Sequence, residues 1–385
     1  MYKYNSPINF FIIYAANFFF SAAYFIIFPV IPVYVNNMQA GVLGVIPVVI
    51  TYFLAIIISA PIIGYLADWL GRLRFAIGGA LASAFLCYAY PFLTGMMPLL
   101  LVRILHGTAI AAFSVATLTI LTDATENSWR GEIISSYLTP QLFWITFGGA
   151  MSLFLLPFGG AKTVFELAAF AAFIASALSA VISRPKLLAM KRQEIKLRDF
   201  LDFDSVLILA AVFIFYAVYS ALLTNLESYL PKIQGDVFGG FFIWFAIAGI
   251  IVLYNSGNLC DRIGRDYAAL VGFGFLAVAV TLVLLADKKA FTAIAGAFFG
   301  ISYAIILPTL TVWWMDISPV TKRGFFMGVF FAFQSAGMLV GLWILNIFGF
   351  GGPRGVFAAA LVFVLAVFFA LGFRQWDDLK LKFKK

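Results

Sequence analysis

Charge is scarce in this sequence. Only 11% of its 385 residues are Asp, Glu, Lys or Arg, where a soluble domain keeps about a quarter, so a soluble globule is excluded. Histidine is nearly absent: His106 is the only one, and a His-rich metal site is ruled out. The two cysteines, Cys87 and Cys260, fall within or at the end of apolar runs, so no disulfide framework is implied. No phosphate-binding loop, metal-ligand spacing or nucleophile constellation is present. That argues against an ATP-driven pump or a membrane-embedded hydrolase; no enzymatic activity, cofactor or metal is expected.

Apolar residues fill the space that charge leaves. They make up 64% of the chain, with a mean hydropathy of +1.03. Runs of about 20 apolar residues, enough to cross about 30 Å of hydrocarbon, recur from end to end. The sequence therefore reads as an all-α membrane protein with twelve transmembrane helices, at 8–34, 41–67, 75–95, 98–122, 132–157, 163–183, 205–231, 239–259, 267–286, 290–316, 325–349 and 355–374. The first run is too long for a cleavable signal peptide and has a counterpart later in the chain.

A net charge of +8 raises the question of a nucleic-acid partner, but the placement of the charges answers it. With the N-terminus inside, the cytoplasmic segments hold nineteen of the twenty-five basic residues, and the outer loops hold only Lys162, Lys232, Lys288, Lys289 and Arg354. This asymmetry follows the positive-inside rule. The basicity reads as topology, with anionic lipid as the partner and no nucleic acid. Both termini are expected to be cytoplasmic, in a monomer spanning the cell membrane.

The chain is written twice. The segment "GYLADWLGRLR" at 64–74 reappears at 257–267 as "GNLCDRIGRDY", matching Gly64, Asp68, Gly71 and Arg72 with Gly257, Asp261, Gly264 and Arg265. The same offset of 193 residues carries "DATENSWRG" at 123–131 onto "DISPVTKRG" at 316–324, so Asp123 meets Asp316 and Arg130 meets Arg323. It also places Gly107 on Gly300 and Gln141 on Gln334. Several matches at one offset indicate a duplicated six-helix unit. The divider, 184–203, carries six basic residues at amphipathic spacing and reads as a cytoplasmic linker of the kind that lies on the inner leaflet. The expected domains are thus 1–183, the linker 184–203, and 204–385. An even number of spans per half makes the repeats parallel.

These motifs resemble the major facilitator superfamily across nearly the whole chain. "GYLADWLGRLR" is similar to the family's signature between helices 2 and 3, and "RILHG" at 103–107 to its Arg-x-x-x-Gly motif of helix 4. The resemblance implies two pseudo-symmetric six-helix bundles, alternating access, and a central cavity lined by helices 1, 4, 7 and 10. It further implies that Asp68, Arg72 and Asp123 form a charge cluster across the inner ends of helices 2, 4 and 11, which latches the cytoplasmic side and breaks on switching. Arg130, Asp261, Arg265 and Arg323 would belong to the latch or its copy. Its glycines, Gly64 and Gly71, permit a tight turn and close helix approach. Plain positive-inside anchoring by Arg72 and Arg74 is the simpler alternative. Because Asp266 and Tyr267 replace Leu73 and Arg74 in the second copy, the dominant latch is expected in the first half. Helix 5, "YLTPQLFWITFGGAMSLF", lacks the Gly-Pro pair that drug–proton antiporters of the family carry.

Charges inside the membrane are the best pointers to a site. Arg103 lies five residues past Pro98, and Glu227 four before Pro231, so both sit roughly 6–8 Å in from the outer helix ends. They are expected to face the cavity, binding a charged substrate group or exchanging a proton; a structural ion pair or a snorkelling Arg is the alternative. Neither has a counterpart in the other repeat. Polar stripes run along Tyr14, Asn17, Ser21 and Tyr24 in helix 1 and along Tyr216, Ser220, Thr224 and Glu227 in helix 7. Helix 4 adds His106, Ser114 and Thr117, and helix 10 adds Tyr303, Thr309 and Trp313. His106 is either a pH-responsive group or hydrogen-bonded filler, and Gln141 and Gln334 either touch substrate or bond neighbouring helices.

The functional expectation is a secondary transporter moving a small organic solute, anionic or neutral, with proton coupling through Glu227 or His106. Efflux of amphipathic or lipid-like compounds, and a non-transporting sensor on a transporter fold, are the competing readings.

Overall fold

The computed structural model describes residues 7–37, 41–182, 200, 202–229, 237–285, 289–347 and 352–383, and every regular element among them is helical. In hydrocarbon each backbone N–H and C=O must find its partner inside the chain, which the helix alone achieves without a closed barrel. The helices are α1 (Pro7–Ile27), α2 (Val30–Asn37), α3 (Gly41–Leu70), α4 (Arg72–Ala89), α5 (Met96–Asp123), α6 (Arg130–Val181), α7 (Phe203–Tyr229), α8 (Val237–Ile263), α9 (Arg265–Leu284), α10 (Lys289–Ile317), α11 (Arg323–Ile347) and α12 (Pro353–Phe383). Buried threonines satisfy themselves within their own helix: Thr117, Thr119 and Thr122 of α5 donate to the carbonyls four residues back at 2.8, 2.6 and 2.8 Å.

Eleven stretches among the described residues are long and apolar enough to cross a membrane. One of them, α6, has 52 residues, about 78 Å at 1.5 Å per residue, far more than one crossing. It breaks at Gly160, with φ 67° and ψ −166°, and is two spans joined end to end, which gives the expected twelve crossings. The first expected span is interrupted at Phe28 and Pro29, between α1 and α2, because a proline has no N–H to donate and disfavours a helical residue before it. The final helix runs to Phe383, past the expected end at 374. Most of the expected linker, 184–203, lies outside the described residues.

The largest departure from expectation is the connection between the second and third spans. The sequence predicts a loop of several residues; the structure has one non-helical residue, Gly71, at φ 99° and ψ 122°. Gly264 repeats it at φ 93° and ψ 153° between α8 and α9. Only glycine enters this region without a steric penalty, so the two glycines fix the elbows, and Asp68, Arg72 and their copies are helical residues.

Two compact units result. The first comprises Met1–Glu126, Pro140–Glu194 and Ser318–Ala332, and the second Asn127–Thr139, Ile195–Ile317 and Phe333–Lys385. In the first, Ile26, Ile27, Val30 and Ile31 pack with Tyr90, Leu99, Phe165 and Ala168, and Phe20 stacks on Phe113 at 3.8 Å. In the second, Phe245 packs against Phe299 at 5.5 Å and Tyr303 at 5.7 Å. Trp69, Trp129 and Trp376 are exposed, as residues of an interfacial belt should be.

Small residues set the helix spacing identically in both units. Gly107 of α5 sits against the Tyr52 carbonyl of α3, and Gly300 of α10 against the Phe245 carbonyl of α8; both members of the pair are displaced by the same 193 residues. Close approach through glycine is how membrane helices gain packing without a hydrophobic drive. Gly300→Val places its Cβ on the backbone of α8 and should lower the thermal midpoint of the detergent-purified protein, a loss of about 1–3 kcal/mol. Gly78→Ala, which meets nothing within 4 Å, should leave the midpoint unchanged or raise it, and the paired melting curves check both.

Candidate functional site

Two charge clusters occupy the elbows. In the first unit the Asp68 carboxylate, at the end of α3, accepts the Gly324 and Phe325 backbone N–H groups at 2.9 and 3.0 Å. It thereby caps α11, whose first-turn amides have no intrahelical acceptor and carry the positive end of the helix dipole. Arg72 clamps the same carboxylate through Nη2 at 2.7 Å and Nε at 3.1 Å and also pairs with Asp123 at the end of α5. Asp123 accepts from Arg323 at 2.8 Å. Gly64 and Gly324 lie in backbone contact, so a side chain at either would push the cap off the carboxylate.

The second unit holds the same figure built from the matching residues. Asp261 accepts the Gly131 and Glu132 N–H groups at 3.2 and 3.3 Å, capping α6. Arg265 pairs with Asp261 and with Asp316 at 3.1 Å, and Arg130 closes the chain onto Asp316. The copy expected to be weaker has the same two-amide cap and the same Arg–Asp pairs as the first, although Arg72 meets Asp68 through two nitrogens and Arg265 meets Asp261 through Nη1. Its two altered positions explain why: Arg74 is exposed and joins neither cluster, so replacing it with Tyr267 removes nothing. Sequence order and spatial grouping also differ here. Ser318–Ala332 belongs to the first unit and Asn127–Thr139 to the second, so each cluster ties a segment of one repeat to helices of the other.

A polar nest lies deeper in the first unit. Arg103 of α5 is 4% exposed and has no carboxylate partner among the described residues. Its Nε donates to the Val48 carbonyl at 3.3 Å and its Nη1 to the Tyr90 hydroxyl at 3.4 Å, while the guanidinium lies 4.1 Å from the centroid of the Tyr52 ring. Tyr24 stacks on Tyr52 with centroids 6.2 Å apart, and their hydroxyls are neighbours, yet the buried Tyr52 hydroxyl meets no partner of hydrogen-bond geometry. His106 is held at both ring nitrogens, by Ser83 Oγ at 3.0 Å and by the Tyr90 hydroxyl at 3.1 Å. One proton arrangement satisfies every group: Arg103 only donates, so the Tyr90 oxygen accepts from it, and with the Tyr90 proton on His106 Nδ1 a neutral ring donates from Nε2 to Ser83.

The remaining expected site residues divide. Asn17 is buried and Tyr14 half-buried on α1. On α7, Tyr216 is buried, while Ser220 donates to the Ala217 carbonyl at 3.2 Å and packs where Gly341 of α11 admits it; Thr224 is exposed. Trp313 of α10 is buried under the Arg374 guanidinium at 4.7 Å, and Arg374 pairs with Asp204. Gln141 and Gln334 are half-buried. The Glu227 side chain lies outside the described residues, although its backbone belongs to α7.

Tyr52, Tyr90 and Ser83 were not singled out from the sequence, yet the repeat carries a signal for them. Shifting the nest by 193 residues converts Tyr52, Ser83, Tyr90, Arg103 and His106 into Phe245, Leu276, Val283, Gly296 and Phe299. Val48, whose carbonyl Arg103 reaches, maps onto Phe241, and Gly296 packs directly on the Phe241 carbonyl. The second unit builds the same place entirely from apolar groups.

Eleven long apolar helices among the described residues, one of them broken at Gly160, and a capped elbow repeated at one sequence offset define a duplicated helical membrane protein. The family model of the Major Facilitator Superfamily matches residues 13–287 and 209–381, and the chain belongs to that family. It is 30% identical over 139 residues to multidrug resistance protein 1 of Bacillus subtilis, a match covering 36% of this chain and 34% of that protein. Multidrug resistance protein 2 of the same organism is 23% identical over 138 residues, 35% of this chain and 34% of its own length. These matches span about a third of both relatives. The human organic anion transporter MFSD10 (TETRAN) superposes with a TM-score of 0.79 over 95% of this chain and 100% of its own at 14% identity, a likeness of fold.

The two-amide cap common to both clusters makes similar costs the expected outcome of removing either carboxylate. Asp68→Asn and Asp261→Asn should each lower stability by about 1–3 kcal/mol, the cost of leaving buried donors poorly met, with thermal midpoints within a few degrees of each other. A midpoint for Asp261→Asn equal to wild type would return the dominant role to the first elbow.

Proposed function

We propose that this protein is a secondary transporter of the cell membrane, carrying a small organic solute, anionic or neutral, by alternating access between its two six-helix repeats, 1–183 and 204–385, with both termini cytoplasmic. The observation that carries this reading is the pair of matched charge clusters. Carboxylate-on-amide caps joined by Arg–Asp pairs are strong when assembled and fully hydratable when parted, which suits an element with two discrete arrangements. A static scaffold has no use for two copies of it. The basic cytoplasmic segments suit anionic lipid, and one chain acts as a monomer.

Proton coupling belongs to this proposal through Glu227 or His106. With both nitrogens of His106 already hydrogen-bonded, Glu227 is the better candidate. A second reading is efflux of amphipathic compounds, favoured by the names of the two Bacillus subtilis relatives and by the cluster of aromatic rings at Tyr24, Tyr52 and Tyr90. Solute uptake by proteoliposomes under an imposed pH gradient separates the readings. Wild type should accumulate solute in proportion to the gradient, and Glu227→Gln should lose about ten-fold or more of the gradient-driven rate, as expected for removing an ionisable group from a membrane-spanning sequence. Equal rates would end the role given to Glu227, and a protein stabilised by compounds it never moves would be a sensor.

A further inference from the structure

We infer that Arg103 and the Tyr52 hydroxyl form the binding site for the carboxylate of a small, singly charged organic acid with an apolar body. The inference rests on the transporter reading and names the substrate class for it.

Three observations converge. The first is an imbalance of charge. A guanidinium offers five N–H donors and accepts nothing, and this one is buried against a carbonyl, a phenol oxygen and a ring face, with no carboxylate among the described residues. The chain Arg103→Tyr90→His106→Ser83 aligns hydroxyl and imidazole dipoles with their negative ends toward the arginine, which tolerates the positive charge without cancelling it. A ligand anion supplies the missing charge.

The second is the orphaned donor. The Tyr52 hydroxyl is fully buried, on the ring that the guanidinium covers, and its one polar neighbour among the described residues, the Tyr24 hydroxyl, does not meet it at hydrogen-bond geometry. Native proteins rarely leave such a group unmet. A carboxylate on Arg103 would offer it an acceptor, and two donors of different kinds would fix the orientation of the bound acid.

The third is the comparison the molecule makes with itself. Fold alone does not require these groups, because the second unit closes the same position with Phe245, Val283, Gly296 and Phe299, all deep in its helix packing. A polar nest kept in one repeat and absent from the other serves something besides packing.

Specificity follows from the same inventory. One cation matches one negative charge, and a dianion would bring a second charge into an apolar surround. Among the described residues the nest holds no acidic side chain to receive an amine, which disfavours amino acids and cationic drugs. The groups around the guanidinium are rings, those of Tyr24, Tyr52 and Tyr90, and such neighbours suit an aromatic or short aliphatic body.

Benzoate, benzamide and chloride test this, each titrated at constant ionic strength against the detergent-purified full chain, with the thermal midpoint as readout. Benzoate should raise the midpoint, and benzamide, its neutral isostere, should not. Arg103→Gln should abolish the benzoate shift. Tyr52→Phe, a change the second repeat already accommodates at Phe245, should keep the fold and weaken benzoate by about 3- to 10-fold, the worth of one hydrogen bond. Equal shifts from benzoate and benzamide, a benzoate shift unchanged in both variants, or a chloride shift as large as that of benzoate would each overturn the site. Because binding is read without flux, benzoate binding with no proteoliposome transport of any solute would instead overturn the transporter reading and leave the site standing.

Discussion

A carboxylate placed across the open end of another helix organises this molecule. Asp68 and Asp261 each bridge two first-turn amides, and the surrounding choices follow from holding them there. The contact demands that backbones touch, hence the glycine pairs 64 with 324 and 131 with 257. It demands that the acid remain ionised at a partly buried position, hence the arginine one turn on. That arginine is balanced in turn by Asp123 or Asp316, and the second arginine, Arg323 or Arg130, returns the network to the helix being capped. Each residue satisfies the charge that the previous one introduces.

Against that shared framework the two repeats diverge inside. Their elbows and their glycine contacts coincide at one offset, while the place held by Arg103 in one unit is held by Gly296 in the other. Duplication thus separates what the architecture requires from what one half has acquired. Groups preserved in both copies hold the helix contacts that both units share; groups present in one copy are free of that duty.

Much of the architecture was legible in the sequence because membrane spanning leaves few solutions. Length, apolarity and the distribution of Lys and Arg suffice to count the spans, and the spaced Gly, Asp and Arg residues reveal the duplication. The elbows were read too long, since polar residues at a helix end look like a loop until the single positive-φ glycine is seen. Arg103 was legible as an isolated charge in an apolar run. Tyr52, Ser83 and Tyr90 were not, because tyrosine and serine are ordinary in such runs, and their meaning depends on three helices bringing them around one imidazole. Ser220 and Trp313 showed the reverse difficulty: spacing put them on promising faces, while Gly341 and Arg374 of other helices claimed them.

The one-residue elbow at Gly71 has a mechanical meaning. It leaves two backbone dihedrals between α3, which ends with Asp68, and α4, which carries Ser83 about 16 Å beyond Arg72. With so little slack, α3 and α4 act as one bent lever. A movement of α3 that releases Asp68 from the amides of α11 pulls Ser83 along with it, and Ser83 is the last link of the chain that leads through His106 and Tyr90 to Arg103. The cap at Asp68 and the buried arginine are therefore joined within one unit by a bent helix pair and three side-chain hydrogen bonds.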